Sequence, residues 1–360
     1  MRTHSNASRV TVHHADAFTL LRTLPAGSID AVVTDPPYAI RSPAGRSRLA
    51  PGGSEPGGRE GSPEAEWKQY ADAEMLGQQS ANWNETATHS RGYADNDPVH
   101  FQRWCELWLG ECLRVLKPGG HLVAFGGTRT WHRLATAAET TGFEIRDSLA
   151  WLYATGFPKS LNAGTAVQNL EQKRSTQGAS DSSDTWEGWG TALKPAFEPI
   201  VFARVPLDGT VANNLTTHRT GAINIDGGRL GDNRWPTNAY LDEHQCRLLD
   251  GIDASLPSRF FWHAKPSSRE RVAVDGVKHP TVKPLALMRE LVRLVTPPGG
   301  TVLDPFGGSG TTVEACIAEG VSCIAVEREA GYIPLIEARI SRQRGESGPY
   351  SGIREQVALF

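Results

Sequence analysis

The run IDAVVT at residues 29–34 ends in Asp35-Pro36-Pro37-Tyr38. Proline has no N–H to give to a ladder and fixes φ, so two in succession make the strand end rigid and leave its carbonyls pointing outward without partners. The ionised Asp35 carboxylate only accepts hydrogen bonds. A rigid set of acceptors beside the face of Tyr38 suits a planar ring that carries an amino group. The amino group gives its two N–H bonds to the Asp35 carboxylate and the Pro36 carbonyl, and the ring stacks on Tyr38. Taken alone, the four residues fit equally a strand that closes in a proline turn beside an exposed tyrosine.

A second set lies near the other end, in TVLDPFGGSGTTVEACIAEG at residues 301–320. Gly307, Gly308 and Gly310 permit positive φ and a close approach of a ligand to the backbone. The helix that opens at Ser309–Thr312 offers unpaired N–H groups to an anion. No lysine follows the last glycine, so this is not a P-loop. A tight strand-to-helix loop would show the same glycines. Glu327 sharpens the reading, because an acid about 20 residues past such a turn is placed to hold both ribose hydroxyls of a nucleoside cofactor.

The elements around these sets follow a βαβ rhythm, which predicts an α/β fold with a largely parallel sheet. RVTVHHADA alternates as a strand, FTLLRTLP is a short helix and IDAVVT a buried strand. Phe101, Trp104, Leu107, Trp108 and Cys112 keep helical spacing, Pro118-Gly119-Gly120 makes a turn, and HLVAF is a buried strand. A helix near 130–140 and the strand FEIRDSLAWLY follow. From residue 279 the pattern resumes with a proline-led helix, TVLDPF, the glycine turn with its helix, VSCIAVE, and AGYIPLIEARISRQR. Two stretches break the rhythm. Residues 41–65 hold six Gly, four Pro and four Ser, opening a polar insertion over 41–97 that is either functional or a tolerated insertion. Residues 159–270, with 12 Lys/Arg against 13 Asp/Glu, read as an inserted loop-rich module. The expected organisation is 1–158 with 271–346 as one catalytic domain and 347–360 as a tail.

Composition excludes several classes. The 360 residues are 39% apolar and 21% charged, with no apolar run long enough to span a bilayer and no signal-peptide core at the start. The five cysteines are scattered without a C-x-x-C, as in reduced thiols of a cytosolic protein, so no metal site is expected. A net charge of −3 lacks the usual basic footprint of a nucleic-acid binder, though such a footprint can be local.

DPPY together with DPFGGSGTT, and with HPTVKPLALM leading into the cofactor strand, resembles the amino-group DNA methyltransferases that use S-adenosylmethionine. The acidic motif precedes the glycine motif, which is similar to the permuted, β-type order of that family. RNA guanine and protein-glutamine methyltransferases carry the glycine turn first. The resemblance covers about 9–40, 100–155 and 279–344. It implies a Rossmann-like methyltransferase fold, a mostly parallel twisted sheet flanked by helices, with 159–270 as the target-recognition region.

The same resemblance assigns roles. Asp35, Pro36, Pro37 and Tyr38 hold the target amino group of a base flipped out of double-stranded DNA. Asp304, Pro305, Phe306, Gly307, Gly308, Ser309, Gly310, Thr311 and Thr312 surround the cofactor, with Asp35 at its reactive end. Glu327, with Arg328 beside it, takes the ribose. Asp16, followed by Ala17, approaches the adenine, although Ala15 stands where members often have glycine. Lys283 lies near the methionine end; His279 reads equally as a turn-capping histidine. Arg41, Arg46 and Arg48 on the insertion, and Lys159, Lys194, Arg204, Arg219, Arg229, Arg234, Arg259 and Lys265 in the middle region, are the basic residues available for DNA, each taken singly reading as a solvated charge. Trp186 and Trp189 read as packing residues. In the family Asp as the first of the four is typical of adenine N6 enzymes and Ser of cytosine N4 enzymes, so N6-adenine is expected. N4-cytosine and a catalytically silent DNA-binding subunit are the alternatives. A homodimer, a cognate restriction endonuclease and a bacterial or phage-encoded cytoplasmic setting complete the expectation.

Overall fold

The structure, a computed structural model, describes residues 9–38, 98–153, 160–174, 184–229, 235–241, 266 and 270–345. β1 (Val10–His14) runs into α1 (Ala17–Leu21), which starts where the Asp16 side chain accepts from the Thr19 N–H at 3.1 Å, an N-cap of the usual kind. β2 (Ile29–Thr34) is buried at every position, as befits a strand covered on both faces. α2 (Pro98–Val115), β3 (Leu116–Phe125), α3 (Trp131–Thr141), β4 (Glu144–Leu152), α4 (Ala163–Arg174), β5 (Phe197–Arg204), α5 (Val211–His218) and β6 (Ala239–Leu241) follow. A hairpin, β7 (Ala273–Val274) and β8 (Val277–Lys278), turns on Asp275 and Gly276, both with positive φ. The last third is α6 (Leu285–Val295), β9 (Thr301–Asp304), α7 (Thr311–Glu319), β10 (Ser322–Glu327) and α8 (Ile333–Arg344).

The strands make an eight-stranded sheet in the order β1-β10-β9-β2-β3-β5-β4-β6. β5 is antiparallel to both its neighbours, and the other pairings are parallel. β2 therefore lies beside β9 from the far end of the chain, with Ala31 opposite Val302 and Val32 opposite Leu303. Alternation along the strands splits the core in two. Ala31, Val33, Val123 and Phe125 face α6 and α7 through Leu287, Leu291 and Val313, while Val32, Leu122 and Ala124 face α2 and α3 through Cys105, Leu109 and Leu134. This is a three-layer α/β architecture with the helices on both faces.

The helices and strands expected in the catalytic part are present, but Pro118-Gly119-Gly120, expected as a turn, lies within β3. β5 and β6 are a difference of placement: both come from inside 159–270 yet join the sheet, β5 between β3 and β4 and the short β6 at its edge. Among the described residues no helix is long and apolar enough to cross a membrane.

Glu314 on α7 and Arg339 on α8 are 1% and 0% exposed and form an ion pair, joined by Arg342 at 2.5 Å; Arg339 also donates to the Glu270 carbonyl at 2.5 Å. Such a pair adds little net stability over an apolar one, but removing one partner strands a buried charge. Glu314→Ala is expected to lower unfolding free energy by about 3–5 kcal/mol in urea titration; a loss below about 1 kcal/mol would mean the arginines are satisfied without it.

Candidate active site

The sheet order brings the two motifs together at the C-terminal edge of adjacent parallel strands. Thr34, the last residue of β2, donates its hydroxyl to Asp304 Oδ1 at 2.7 Å, and the Phe306 N–H reaches the same oxygen at 3.1 Å. Asp304 is 1% exposed. Burial pushes its pKa up to about 6, against the hydrogen bonds from Thr312, Thr34 and Phe306 that favour the charged form. Asp35, the next residue after Thr34, is thereby tied to the glycine turn.

The turn itself is held by the end of β10. The Gly307 N–H donates to the Val326 carbonyl at 2.7 Å and the Gly308 N–H to Glu327 Oε2 at 2.6 Å; Glu327 Oε1 accepts from the Glu329 N–H at 2.7 Å. Burial raises the pKa of Glu327, and these backbone donors oppose it. Gly308 and Gly310 have φ of 51° and 83°, and a Cβ on Gly310 would lie 2.9 Å from Ile336 Cα. Only glycine passes here. Ser309, Thr311 and Thr312 are buried, with the Ser309 and Thr311 hydroxyls 3.1 Å apart at the start of α7. Pro305 and Phe306 lead in, and Phe306 packs edge-on against Trp108 at 5.3 Å and tilted against Trp104 at 5.6 Å. Asp16 joins the same corner: the Ala15 N–H donates to the Glu327 carbonyl at 3.1 Å, and His14 Nε2 lies 3.0 Å from the Arg328 carbonyl. Ala17 is the buried first residue of α1. His279 lies over the turn, its Nε2 3.2 Å from where a Gly308 Cβ would be, with its Nδ1 on the Thr281 carbonyl and its ring edge-on to Tyr332.

At the acidic motif, the Tyr38 hydroxyl donates to Asp35 Oδ1 at 2.7 Å and reaches Glu198 Oε2 at 3.0 Å. The Lys283 amine is engaged by Asp35 Oδ2 at 2.6 Å, Tyr38 Oη at 3.0 Å and Glu198 Oε2 at 3.1 Å. Burial works against that ammonium; the two carboxylates outweigh it and hold its pKa above the ordinary lysine value. Burial and the same two carboxylates raise the Tyr38 pKa. The Thr130 hydroxyl donates to the Tyr38 carbonyl at 2.9 Å and fixes the end of the motif. Glu198 was missed in the sequence. Its one signal is a carboxylate inside an otherwise apolar strand, FEPIVFAR.

The basic residues do not converge. Arg204 is 8% exposed, pairs with Glu144 at 2.6 Å and donates to the Gly221 carbonyl, so it is a structural residue and not a DNA contact. Lys194 and Arg219 are exposed, while Arg229 holds Asp226 at 2.6 Å and lies over the Trp235 ring. Trp186 and Trp189 meet edge to face at 5.6 Å but are 42% and 61% exposed, so they are a surface pair and not core packing. Arg41, Arg46, Arg48, Lys159, Arg234, Arg259, Lys265, the insertion beyond Tyr38 up to residue 97, and the tail from 346 lie outside the described residues.

A glycine turn after a parallel strand, an acid closing the next strand and an acceptor cluster on the neighbouring strand define a nucleoside-cofactor methyltransferase of the Rossmann-like class. The chain belongs to the DNA methylase family that groups N6 and N4 enzymes, whose profile matches residues 29–338, and it is an S-adenosylmethionine-dependent DNA methyltransferase. It is similar to the type II methyltransferase M.HindIII of Haemophilus influenzae, at 26% identity over 353 residues covering 92% of this chain and 96% of that one. M.HinfI, a type II methyltransferase also from Haemophilus influenzae, is 23% identical over 343 residues, covering 94% and 70%. Among solved structures, the cytosine-N4-specific PvuII DNA methyltransferase shares the fold with a TM-score of 0.51, at 16% identity, covering 97% of this chain and 91% of that one.

Two predictions follow from this geometry. Gly308→Val, which forces a branched side chain at positive φ against His279, should weaken S-adenosylmethionine binding by a factor on the order of 10² in equilibrium titration; unchanged affinity would place the cofactor elsewhere. Asp304 binds a proton in the folded chain near pH 6 that the unfolded chain, titrating near 3.8, has already lost. Its contribution to stability is thus full below the unfolded value and lost as pH rises through the folded one. Asp304→Asn mimics the protonated acid, so from about pH 4 to about pH 7 its stability should rise relative to wild type by about 2–3 kcal/mol. Parallel pH dependences in denaturant titrations of the two proteins would refute the shift.

Proposed function

We propose that the chain methylates the exocyclic N6 of adenine in double-stranded DNA, with Asp35, Pro36, Pro37 and Tyr38 holding the flipped base. The observation that carries this reading is the Thr34–Asp304 hydrogen bond, which fixes the acceptor end of β2 against the glycine turn. The donor set suits the cofactor: the N–H groups that open α7 for its carboxylate, those of Gly307, Gly308 and Gly310 being engaged within the turn, and Glu327 and Asp16 for its ribose and adenine. S-adenosylmethionine supplies, when bound, a methyl group on a positively charged sulfur.

The exocyclic nitrogen is a poor nucleophile because its lone pair is delocalised into the ring. The Asp35 carboxylate and Pro36 carbonyl accept its two N–H bonds and favour a more tetrahedral nitrogen with its lone pair aimed out of the ring plane. The gain is positioning together with stabilisation of the positive charge that grows on nitrogen. The Tyr38 ring, pinned through its hydroxyl, offers a stacking face worth about 1–3 kcal/mol against the cost of flipping. Adenine is favoured over cytosine by Asp at the first motif position. The stretches 159–196 and 205–270, which flank β5, are the proposed target-recognition region, with Lys194, Arg219 and Arg229 among its described basic residues. The homodimer, the pairing with a cognate restriction endonuclease and the cytoplasmic setting are part of the same proposal, supported by motif order and by relatives named as type II methyltransferases.

The test is transfer of labelled methyl groups to mixed-sequence unmethylated DNA, followed by mass spectrometry of the nucleosides. N6-methyladenine is expected, and N4-methylcytosine would overturn the choice of base. Asp35→Ala should slow transfer by at least about 10³-fold while leaving S-adenosylmethionine affinity within about threefold. Normal turnover in that variant would remove Asp35 from the mechanism.

A further inference from the structure

Glu198 comes from the one antiparallel strand of the sheet, where it lies opposite Trp151 of β4, and no motif points to it. Its carboxylate nevertheless completes the cluster around Asp35. Counting protons shows what it adds. The Lys283 ammonium has three protons and three acceptors within reach: Asp35 Oδ2 at 2.6 Å, Tyr38 Oη at 3.0 Å and Glu198 Oε2 at 3.1 Å. The Tyr38 hydroxyl has one proton and two carboxylate oxygens, Asp35 Oδ1 at 2.7 Å and Glu198 Oε2 at 3.0 Å. One phenolic proton serves two acids, and it can bond fully to one of them at a time.

We propose that Glu198 is a positioning residue that takes the Tyr38 hydroxyl proton when the target amino group arrives, releasing Asp35 Oδ1 to accept from that group. The proposal rests on the reading of Asp35 as the acceptor of the target N–H. While Tyr38 donates to Asp35 Oδ1, that oxygen already carries a charge-assisted bond, and a second donor meets a weakened acceptor. Turning the hydroxyl by rotation about its C–O bond moves the proton to Glu198 Oε2 with no loss in the number of hydrogen bonds. Tyr38 stays pinned in either orientation, so its stacking face does not move during the exchange. Both carboxylates are about one-fifth exposed while Lys283 is 7% exposed, so the exchange takes place next to a fixed, largely buried cation. Tyr153 also hydrogen-bonds to Glu198 and holds it on the sheet. With Glu198 gone, Asp35 would be the only carboxylate left to the hydroxyl of the two it now has.

Single-turnover methyl transfer by Glu198→Ala and Glu198→Gln, each alone and combined with Tyr38→Phe, tests this, with S-adenosylmethionine affinity measured on every variant. Glu198→Ala should slow transfer on the order of 10-fold to 100-fold, and Glu198→Gln should recover part of the loss because its amide oxygen still accepts the hydroxyl. In the Tyr38→Phe background no hydroxyl competes for Asp35, so Glu198→Ala should cost less than about threefold further. Cofactor affinity should stay within about threefold throughout. A loss as large in the Tyr38→Phe background as in wild type, or full activity in Glu198→Ala, would overturn the exchange. Asp35→Ala run alongside separates the two readings: if it still transfers methyl groups the acceptor assignment itself fails, whereas if it is inert and Glu198→Ala is normal only the exchange fails.

Discussion

β2 and β9 are hydrogen-bonded as parallel neighbours, and everything at the site depends on that pairing. Parallel strands end on the same edge of a sheet, so the residues that follow them must meet. The next described helix after β2, α2, packs on one face of the sheet, and the helix that follows β9, α7, packs on the opposite face. The strands on either side follow suit, with β10 and β1 beyond β9 and β3 beyond β2. A crevice opens where the connections part, and in open α/β sheets ligands bind there, outside the carboxyl ends of the strands. The Thr34–Asp304 bond closes the floor of that crevice and sets the spacing between acid and glycine turn.

That pairing also explains how far the sequence could be read. β2, β9, β10 and their helices announce themselves through apolar runs bounded by Pro and Gly, and the motifs sit at their ends. The neighbour relation of β2 and β9 has no local signal, since the residues are separated by most of the chain; family order alone anticipated it. β5 was legible as a strand candidate but not as part of this sheet. FEPIVFAR reads as a strand, but it lies in a region of turn-forming composition, and periodicity says nothing about which sheet a strand joins. Glu198 fell with it. Lys283 was legible as a site residue, but its partners were not, because its position on the entry to α6 does not give the direction of a four-carbon side chain. Arg204 shows the opposite error: a charge counted as surface is buried because Glu144 waits for it on the adjacent strand.

The electrostatics of the two sides of the crevice differ for physical reasons that the fold imposes. Asp304 is held by neutral donors, Thr34, Thr312 and the Phe306 N–H, so desolvation wins and its proton affinity rises. Asp35, one residue beyond Thr34, shares a buried ammonium with Glu198. The chain thus keeps a carboxyl of raised pKa beneath the glycine turn and a cation-paired carboxylate at the end of the neighbouring strand. The raised pKa of Asp304 is in part the effect of Asp35 itself. Placing Lys283 on Asp35 therefore separates the two acids by environment: Asp304 fixes the loop through neutral donors, and Asp35 is held by a buried ammonium.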